Sequence, residues 1–300
     1  MPRIAYEDWN PSQQSLNIVQ IASAICAEYA QQGYDLTLRQ LYYQFVARDY
    51  LPNNQRSYKN LGAVIDRARK AGLLDWDYIT DRTRNLSGLY TYTDPSDLIE
   101  QSVNDYHVDL WQHQDQRIEV WVEKEALAGV IARSALKLGV NYFSCRGYVS
   151  QSELHQAALR HRAYEDSGQE VTVIHLGDHD PSGIDMTRDI ADRLALFGAS
   201  TTVKRIALNR DQIDEFNPPP NPAKLTDSRA RNYINEFGKS SWELDALNPD
   251  TLAGLIENEI LTHMDADLFN LRTRYREEGR NALQAVSDNW HTVKDFAEGI

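Results

Sequence analysis

The sequence predicts an α/β protein in which a helical N-terminal unit is followed by a mainly parallel sheet flanked by helices. Two observations predict this class. The first hundred residues carry three apolar patterns at helical spacing, and from Arg117 onward apolar strand-like runs alternate with helical segments. Such alternation is typical of a parallel sheet covered by helices. We therefore expect two domains, over residues 1–110 and 111–300.

The N-terminal unit begins with three predicted helices. Asn10 and Pro11 mark the start of the first helix, while Gly33 and Gly72 follow the ends of the first and the third. The helices cover about residues 11–32, 37–49 and 57–71, and short β-prone stretches follow at 76–79 and 89–92. Three helices followed by a small ribbon is the element order of a winged-helix domain.

The second unit alternates strands and helices. Gly139, Gly168 and Gly198 stand where the C-terminal caps of its helices are expected. The predicted strands are Ile118–Val122, Asn141–Cys145, Val171–Leu176 and Val203–Leu208, and the predicted helices cover about residues 124–138, 151–166 and 182–197. Because open parallel sheets bind ligands at the carboxyl ends of their strands, we expect the functional site at that edge.

Composition excludes several classes of protein. With 42% hydrophobic and 25% charged residues, the chain is neither collagen-like nor disordered, and two cysteines cannot form a disulfide scaffold. No apolar stretch reaches the roughly 18–20 residues of a membrane span, and the first ten residues show no secretion signal. We expect a cytoplasmic, nucleoid-associated protein with no membrane contact, in which Cys26 and Cys145 are reduced thiols.

The net charge of −13 repels phosphate over the molecule as a whole, so any nucleic acid must be bound locally. Residues 37–84 carry nine basic side chains against five acidic ones, which makes this window the expected DNA-binding surface. Basic residues of the third helix would contact phosphates, and two later arginines would clamp the backbone. The candidate DNA contacts are Arg56, Lys59, Arg67, Arg69, Lys70, Arg82 and Arg84.

Acidic side chains follow two of the predicted strands. Glu123 comes directly after the first, and Asp178 and Asp180 come after the third. If these strands are parallel neighbours, the three carboxylates converge at one edge of the sheet, where hard oxygen donors suit Mg²⁺, with Mn²⁺ as a substitute. Asp178, Asp180, Ser182 and Gly183 also match positions of an EF-hand loop, but a strand precedes them where a helix should, which disfavours calcium.

The order of these motifs resembles a known family. Three segments resemble the Toprim motifs of the topoisomerase VI A-subunit family, which includes the enzyme that makes meiotic double-strand breaks. They are Val122-Glu123-Lys124, Arg146-Gly147-Tyr148 and Gly177-Asp178-His179-Asp180-Pro181-Ser182-Gly183. A fourth segment is similar to one near that family's C-terminal end, namely Ser241-Trp242-Glu243-Leu244-Asp245-Ala246-Leu247. The resemblance covers about Tyr34 to Ile260. It implies a CAP-like winged helix followed by a Toprim domain, and a homodimer in which the nucleophile of one subunit meets the metal site of the other.

The resemblance also implies a nucleophile. Arg39-Gln40-Leu41-Tyr42-Tyr43 is similar to the family's Arg-x-x-Tyr-Tyr motif, whose second tyrosine corresponds to Tyr43. Gln40 departs from the family, in which an acidic residue often follows the arginine. Helical geometry separates the two tyrosines independently, because Tyr42 lies on the apolar stripe and Tyr43 lies near Arg39, with its hydroxyl better presented. Arg39 would hold the scissile phosphate or favour the phenolate, and Glu123 would act beside the metal.

Structural interpretations stand beside these functional ones. Tyr42 and Tyr43 could simply pack inside a winged helix. We expect His179 to be a solvated linker residue rather than a metal ligand. Lys124 fits a phosphate contact or a solvated surface position, and Asp185 fits either an acid that supports the metal ligands or an ordinary surface charge.

Three functions of different classes follow. The first is a Mg²⁺-dependent transesterase of the topoisomerase VI A type that cleaves double-stranded DNA through a tyrosyl-phosphate linkage, and a strand-passage cycle would need a separate ATPase subunit. The second is a hydrolytic Toprim nuclease with no tyrosine intermediate. The third is an inactive DNA-binding module.

Overall fold

The computed structural model describes residues 4–80, 89, 91–223 and 229–299. The α-helices in these ranges are α1 (Gln13–Gln31), α2 (Leu38–Ala47), α3 (Gln55–Lys70), α4 (Pro95–Asp105), α5 (Ala128–Lys137), α6 (Gln151–Asp166), α7 (Pro181–Leu196), α8 (Arg210–Phe216), α9 (Ala230–Phe237), α10 (Pro249–Thr262), α11 (Ala266–Asp288) and α12 (Trp290–Glu298). The strands are β1 (Gln116–Val122), β2 (Asn141–Ser144), β3 (Glu170–Leu176), β4 (Thr202–Ala207), β5 (Asn221–Pro222) and β6 (Ser240–Ser241).

Four strands form one parallel sheet in the order β2-β1-β3-β4. The predicted α/β class with a parallel sheet flanked by helices is therefore confirmed, and each of these strands lies within two residues of its predicted bounds. A second, two-stranded ribbon pairs β5 with β6 in antiparallel fashion.

Both faces of the parallel sheet are covered, and its two central strands, β1 and β3, are buried along almost their whole length. Along β1, Val120 and Val122 pack in a cluster that includes Ile131 of α5 and Ile256 of α10. Trp121, between them, points to the opposite face and packs in a cluster that includes Leu154 of α6. Consecutive residues of a strand point to opposite faces, so a strand buried on both sides is mostly apolar, and its polar residues need partners inside the protein.

Helices α1, α2 and α3 enclose a hydrophobic cluster of their own, in which Ile25, Phe45 and Leu61 are fully buried. The first helix begins later than predicted. Ser12 rather than Asn10 is its N-cap, because the Ser12 side chain accepts a hydrogen bond from the Ser15 backbone N–H at 3.3 Å.

The segment after α3 differs from the predicted ribbon. Trp76–Tyr78 forms a short 3-10 helix, whose start is capped by the Asp75 side chain accepting from the Asp77 N–H at 3.0 Å. Ile79 forms an isolated parallel bridge with Leu36. The strand expected at 76–79 is thus replaced by a capped turn, and residues 81–88 and 90 lie outside the described part of the chain. The winged helix stays a prediction.

The longest helix, α11, runs along α4 on the outside of the molecule. Gly279 allows this approach, because a Cβ at that position would overlap the Tyr106 ring. Arg280 donates to the Tyr106 carbonyl at 3.2 Å. No residue of α4, α11 or α12 is buried. No helix in the described ranges is long and apolar enough to cross a membrane.

Candidate active site and nucleic-acid interface

Two acidic residues meet at the carboxyl ends of the central strands. β1 and β3 are parallel neighbours with Val122 opposite Leu176, so the residues that follow them emerge side by side. The Glu123 N–H donates to the Leu176 carbonyl at 2.9 Å. The Glu123 carboxylate in turn accepts the Asp178 N–H through Oε2 at 2.9 Å. The structure therefore brings Glu123 against the loop that carries Asp178.

Two glycines let this loop close around Glu123. A Cβ at Gly183 would overlap the Asp178 carbonyl oxygen, and a Cβ at Gly177 would lie 3.0 Å from Glu123 Oε2. A larger residue at position 183 would therefore move the backbone of the loop, whereas one at position 177 would displace the side chains of Glu123 and Arg205. The glycine spacing of the motif thus follows from close approach of backbone to carboxylate.

Asp180 has a structural task in the same loop. Its Oδ1 accepts the Gly183 N–H at 2.6 Å and the Ser182 hydroxyl at 3.0 Å, which makes it the N-cap of α7. Pro181 occupies the first turn of that helix, where its missing N–H costs no hydrogen bond. Asp180 therefore fixes the start of α7, and its negative charge stays close to Glu123.

Arg205 of β4, which the sequence analysis did not single out, supports the acidic loop from behind. Its Nη2 donates to the carbonyls of Gly177 at 2.8 Å and Asp178 at 2.7 Å, and its Nη1 donates to the Gly183 carbonyl at 2.9 Å. Burial lowers the pKa of Arg205 to about 10. An arginine inside a strand of a covered sheet is the sequence signal that could have identified it, because a charge there needs internal partners.

The acidic pair is electrostatically unfavourable without a cation. Burial raises the pKa of Glu123, and the charge of Asp180 acts in the same direction. Burial, together with the charges of Glu123 and Asp245, raises the pKa of Asp178 to about 7 despite the nearby ammonium of Lys124. Buried carboxylates that repel each other in this way suit a divalent cation.

The chemistry of the three carboxylates suits Mg²⁺, and the metal site at Glu123, Asp178 and Asp180 stays a prediction. Hydrogen bonds use one oxygen of each, namely Oε2 of Glu123, Oδ1 of Asp178 and Oδ1 of Asp180. Within residues 4–80, 89, 91–223 and 229–299, no group of three or more His, Cys, Asp or Glu side chains is arranged to hold a metal ion. Mg²⁺ commonly takes one or two carboxylates and completes its shell with water and phosphate.

A segment from the C-terminal part of the chain closes over the acidic loop. His179 and Trp242 form an antiparallel bridge, with N–H to carbonyl distances of 2.9 and 3.0 Å. Two residues further on, the Leu244 N–H donates to Asp178 Oδ1 at 2.8 Å. This bridge sets the register that carries Glu243 and Asp245 to the edge of the sheet.

The prediction that His179 is a solvated linker is wrong. Its side chain is buried, with 1% of the residue exposed, and its ring packs against Tyr233, Phe237 and Trp242 at centroid distances of 5.5, 4.8 and 5.7 Å. Its Nδ1 lies 2.7 Å from the Tyr233 hydroxyl. The imidazole anchors the C-terminal segment. The sequence did not indicate this aromatic enclosure, because His179 stands between two aspartates.

Lys124 is the centre of a buried ionic cluster. Its Nζ lies 2.6 Å from Glu243 Oε2, 3.0 Å from Asp245 Oδ1 and 3.0 Å from Asp178 Oδ1. The side chain is 19% exposed, so the predicted solvated alternative is wrong. The cluster joins the acidic loop to the C-terminal segment.

Helix α2 brings Arg39 and Tyr43 to the same cluster. Arg39 Nη2 donates to both oxygens of Glu243 at 3.0 and 2.7 Å, and its Nε lies 3.5 Å from Asp245. Tyr43 and Glu243 line the same cleft, the Tyr43 side chain helps to lower the pKa of Glu243, and the Arg39 guanidinium lies 5.9 Å from the centre of the Tyr43 ring. The nucleophile candidate and the acidic loop are thus linked within one chain.

The structure does not show the predicted better presentation of Tyr43, because Tyr42 is 4% and Tyr43 is 3% exposed. The Tyr42 hydroxyl is used structurally, accepting the Asn54 N–H at 2.8 Å. Tyr43 is also buried, at 3% exposure, because the C-terminal segment packs against α2. Burial, followed by the charges of Asp245 and Glu243, raises the pKa of Tyr43 to about 12 and outweighs Arg39. Arg39 acts in the expected direction by lowering the pKa of Tyr43, but burial and the two carboxylates outweigh it.

A cleft of about 630 Å³ opens beside Tyr43, between α2, the start of α3 and the short β5–β6 ribbon. Its walls combine three tyrosine rings, a row of side-chain amides and one ion pair. The lining residues are Arg39, Tyr42, Tyr43, Asn53, Asn54, Gln55, Tyr58, Asn221, Pro222 and Glu243.

The candidate DNA contacts differ in where the structure places them. Arg56, Lys59 and Arg67 are exposed on α3 and free to meet phosphate from one face of the helix. Arg69 instead donates to the carbonyls of Trp76 at 2.8 Å and Ile79 at 2.9 Å, so it stabilises the turn after α3.

The remaining candidates have other placements. Lys70 pairs with Asp66 at 2.9 Å on the helix surface. Arg82 and Arg84 lie outside the described residues. Asp185, whose role the sequence left open, accepts the Tyr148 hydroxyl at 2.8 Å and pairs with Arg188 at 2.7 Å, which makes it part of a surface network at the start of α7.

Comparison with known proteins found no family model, no curated protein and no solved structure that matches this chain.

Proposed function

We propose that this protein is a Mg²⁺-dependent, DNA-cleaving transesterase with a Toprim-like sheet, in which Tyr43 is the nucleophile. The observation that carries the proposal is the series of contacts from Arg39, whose guanidinium lies 5.9 Å from the centre of the Tyr43 ring, through Glu243 and Lys124 to Asp178. A helix with a tyrosine and an arginine, lying against paired carboxylates at the end of a parallel sheet, contains the groups that transfer of a phosphodiester to a hydroxyl requires.

The proposed reaction exchanges one phosphodiester bond for another. The Tyr43 hydroxyl oxygen forms a bond to phosphorus while the bond from phosphorus to the departing 3′ oxygen breaks. The phenol proton goes to solvent, and the departing oxygen takes up a proton to become a 3′ hydroxyl. The product is a 5′ phosphotyrosyl linkage, and the reverse reaction reseals the strand.

The chain's own cations hold the phosphate in this scheme. Arg39 offers two N–H groups of the kind that bind phosphate oxygens in bidentate fashion, and Lys124 offers a point charge. Glu123 and Asp178 would hold Mg²⁺, which supplies positive charge to the phosphoryl oxygens when bound. The exposed cations Arg56, Lys59 and Arg67 of α3 would place the duplex by contacting its backbone.

One observation favours a second candidate, a hydrolytic nuclease. Tyr43 is 3% exposed and its pKa is raised to about 12, which makes the phenol a weak nucleophile as it stands. In a hydrolase, water would attack the phosphate, and Tyr43 would remain a structural residue. A third possibility, binding without chemistry, predicts no product with any divalent cation.

Covalent trapping tests the proposal. Supercoiled plasmid is incubated with the protein and Mg²⁺, the reaction is stopped with detergent, and protein joined to DNA 5′ ends is measured. We expect linkage with the wild type, none with Tyr43→Phe, and linkage with the matched control Tyr58→Phe, because Tyr58 lines the same cleft. Cleavage that survives Tyr43→Phe but stops in Asp178→Asn would select the hydrolase.

A further inference from the structure

Glu243 occupies an anion position between two cations. Its carboxylate takes Arg39 Nη2 at 3.0 and 2.7 Å and Lys124 Nζ at 2.6 Å, and Asn221 Nδ2 lies 3.4 Å from its Oε1. Tyr43 lines the same cleft as Glu243. A guanidinium, an ammonium and an amide are the recognition set of a phosphate as well as of a carboxylate.

The Glu243 side chain can move out of the ionic cluster more easily than the side chain of Asp245. The Asp245 side chain is fully buried, whereas that of Glu243 is 22% exposed and lines the cleft beside Tyr43. If Glu243 turned into the cleft, Lys124 would keep Asp178 and Asp245 as partners at 3.0 Å, and Arg39 would keep Asp245 at 3.5 Å. The two cations could therefore receive another anion without losing all their counter-charges.

We infer that the site between Arg39 and Lys124 binds the scissile phosphate, and that Glu243 occupies this site when DNA is absent. Tyr43 and the acidic loop of one chain then act on the same phosphate. This inference rests on the proposed transesterase function and deepens it. It departs from the arrangement implied by the family resemblance, in which the nucleophile of one subunit meets the metal site of the other. A phosphate in the place of Glu243 would lie in the cleft that Tyr43 lines and in contact with Lys124, which also contacts Asp178.

Pairing two inactive variants tests whether the site is complete within one chain. Tyr43→Phe and Asp178→Asn are co-expressed with different affinity tags, and protein carrying both tags is isolated and assayed for DNA linkage. In a dimer with sites shared between subunits, each mixed dimer holds one intact site, so about half of the wild-type linkage returns. With sites in one chain, linkage stays at the level of the single variants.

The possible outcomes separate the two proposals. No linkage by the wild type would refute the transesterase function itself. Linkage by the wild type together with recovery in the mixed protein would overturn the single-chain site. Linkage by the wild type with no recovery supports it, as does linkage by a wild type that is monomeric at the assay concentration.

A second measurement addresses Glu243 without using cleavage. Binding of a short duplex is measured without divalent cation for the wild type, Glu243→Gln and the matched control Glu257→Gln, which removes one carboxylate at the exposed pair with Lys137. We expect Glu243→Gln to bind the duplex about 5-fold more tightly, because one competing negative charge has left the phosphate site. Equal or weaker binding than the control would refute the role of Glu243. Circular dichroism checks that the variant is folded, and Glu243→Asp, with a shorter reach to Arg39 and Lys124, should shift binding in the same direction.

Discussion

The buried carboxylate of Glu119 gives a prediction whose size follows from the structure. Glu119 lies in the middle of β1 and is 3% exposed. Its oxygens accept from Arg160 Nε at 2.7 Å, Arg160 Nη2 at 2.9 Å and Trp121 Nε1 at 2.9 Å, and His161 Nε2 lies 3.4 Å away. Burial would raise the pKa of Glu119, but the hydrogen bonds and charges of His161 and Arg160 outweigh it and lower the pKa from 4.5 to about 2.

The replacement Glu119→Gln keeps the shape of the side chain and removes its charge. Because each pH unit between the folded and unfolded pKa corresponds to about 1.4 kcal/mol, the ionised carboxylate contributes about 3 kcal/mol to the free energy of unfolding at neutral pH. A lowered pKa stabilises the fold above the unfolded value near 4.5, and this contribution is lost as the pH falls toward 2. We expect the variant to be about 3 kcal/mol less stable at pH 7, with the difference narrowing below pH 4.5.

Urea denaturation followed by far-UV circular dichroism, from pH 7 down to pH 3, measures this difference. Glu257→Gln is the matched control, because the exposed pair of Glu257 with Lys137 should be worth less than about 1 kcal/mol. Equal midpoints for the Glu119 and Glu257 variants at pH 7 would refute the reasoning, as would a difference that does not change with acidity.

Three further predictions concern the DNA surface and the supports of the acidic loop. Removing the three exposed cations of α3 together should lower the slope of log affinity against log salt by about 2 to 3, measured by duplex titration at several salt concentrations. His179→Ala should lower the free energy of unfolding by about 2–4 kcal/mol, because it empties an aromatic enclosure. Arg205→Met should cost a similar amount and abolish cleavage, because the carbonyls of Gly177, Asp178 and Gly183 lose their donor.

Each of these predictions has a comparison that could contradict it. The α3 variant is compared with a protein that loses three surface cations elsewhere, Lys137, Arg162 and Lys294, and an equal change in salt slope would mean that α3 has no special role. For His179, a His179→Phe variant keeps an aromatic ring but loses the hydrogen bond to the Tyr233 hydroxyl. Its free energy of unfolding should therefore lie closer to that of the wild type than to that of His179→Ala, without reaching the wild-type value. Full cleavage by Arg205→Met would show that the loop holds its shape unaided.

The sequence was sufficient to predict the sheet because its periodicity is local. Strands buried on both faces appear as short apolar runs, and glycines mark the ends of the helices between them. The start of α1 and the turn after α3 were missed because they depend on single side-chain caps, Ser12 and Asp75, which compete with equally suitable neighbours. A pattern of apolar residues contains no information about which of two adjacent polar residues will cap.

The candidate site was predictable only in part. Glu123 and Asp178 follow from the rule that parallel strands end at one edge, and β1 and β3 are indeed adjacent. The contribution of Glu243 and Arg205 depends on contacts across more than sixty and more than twenty residues of chain, which no local spacing reveals. Charged residues at buried positions were the available signal, but the partners of a buried charge cannot be read without the fold.

The bridge between His179 and Trp242 has a consequence for how the chain can be shortened or divided. A truncated protein that stops after β4 would still contain every strand of the parallel sheet, yet Asp178 would lose the Leu244 N–H and Lys124 would lose two of its three carboxylates. Supplying part of the missing chain, residues 239–262, as a separate peptide offers a way to assemble the acidic edge on demand. Binding of the peptide would be detected as quenching or a shift of tryptophan emission, because Trp242 becomes enclosed beside His179 when the two parts join.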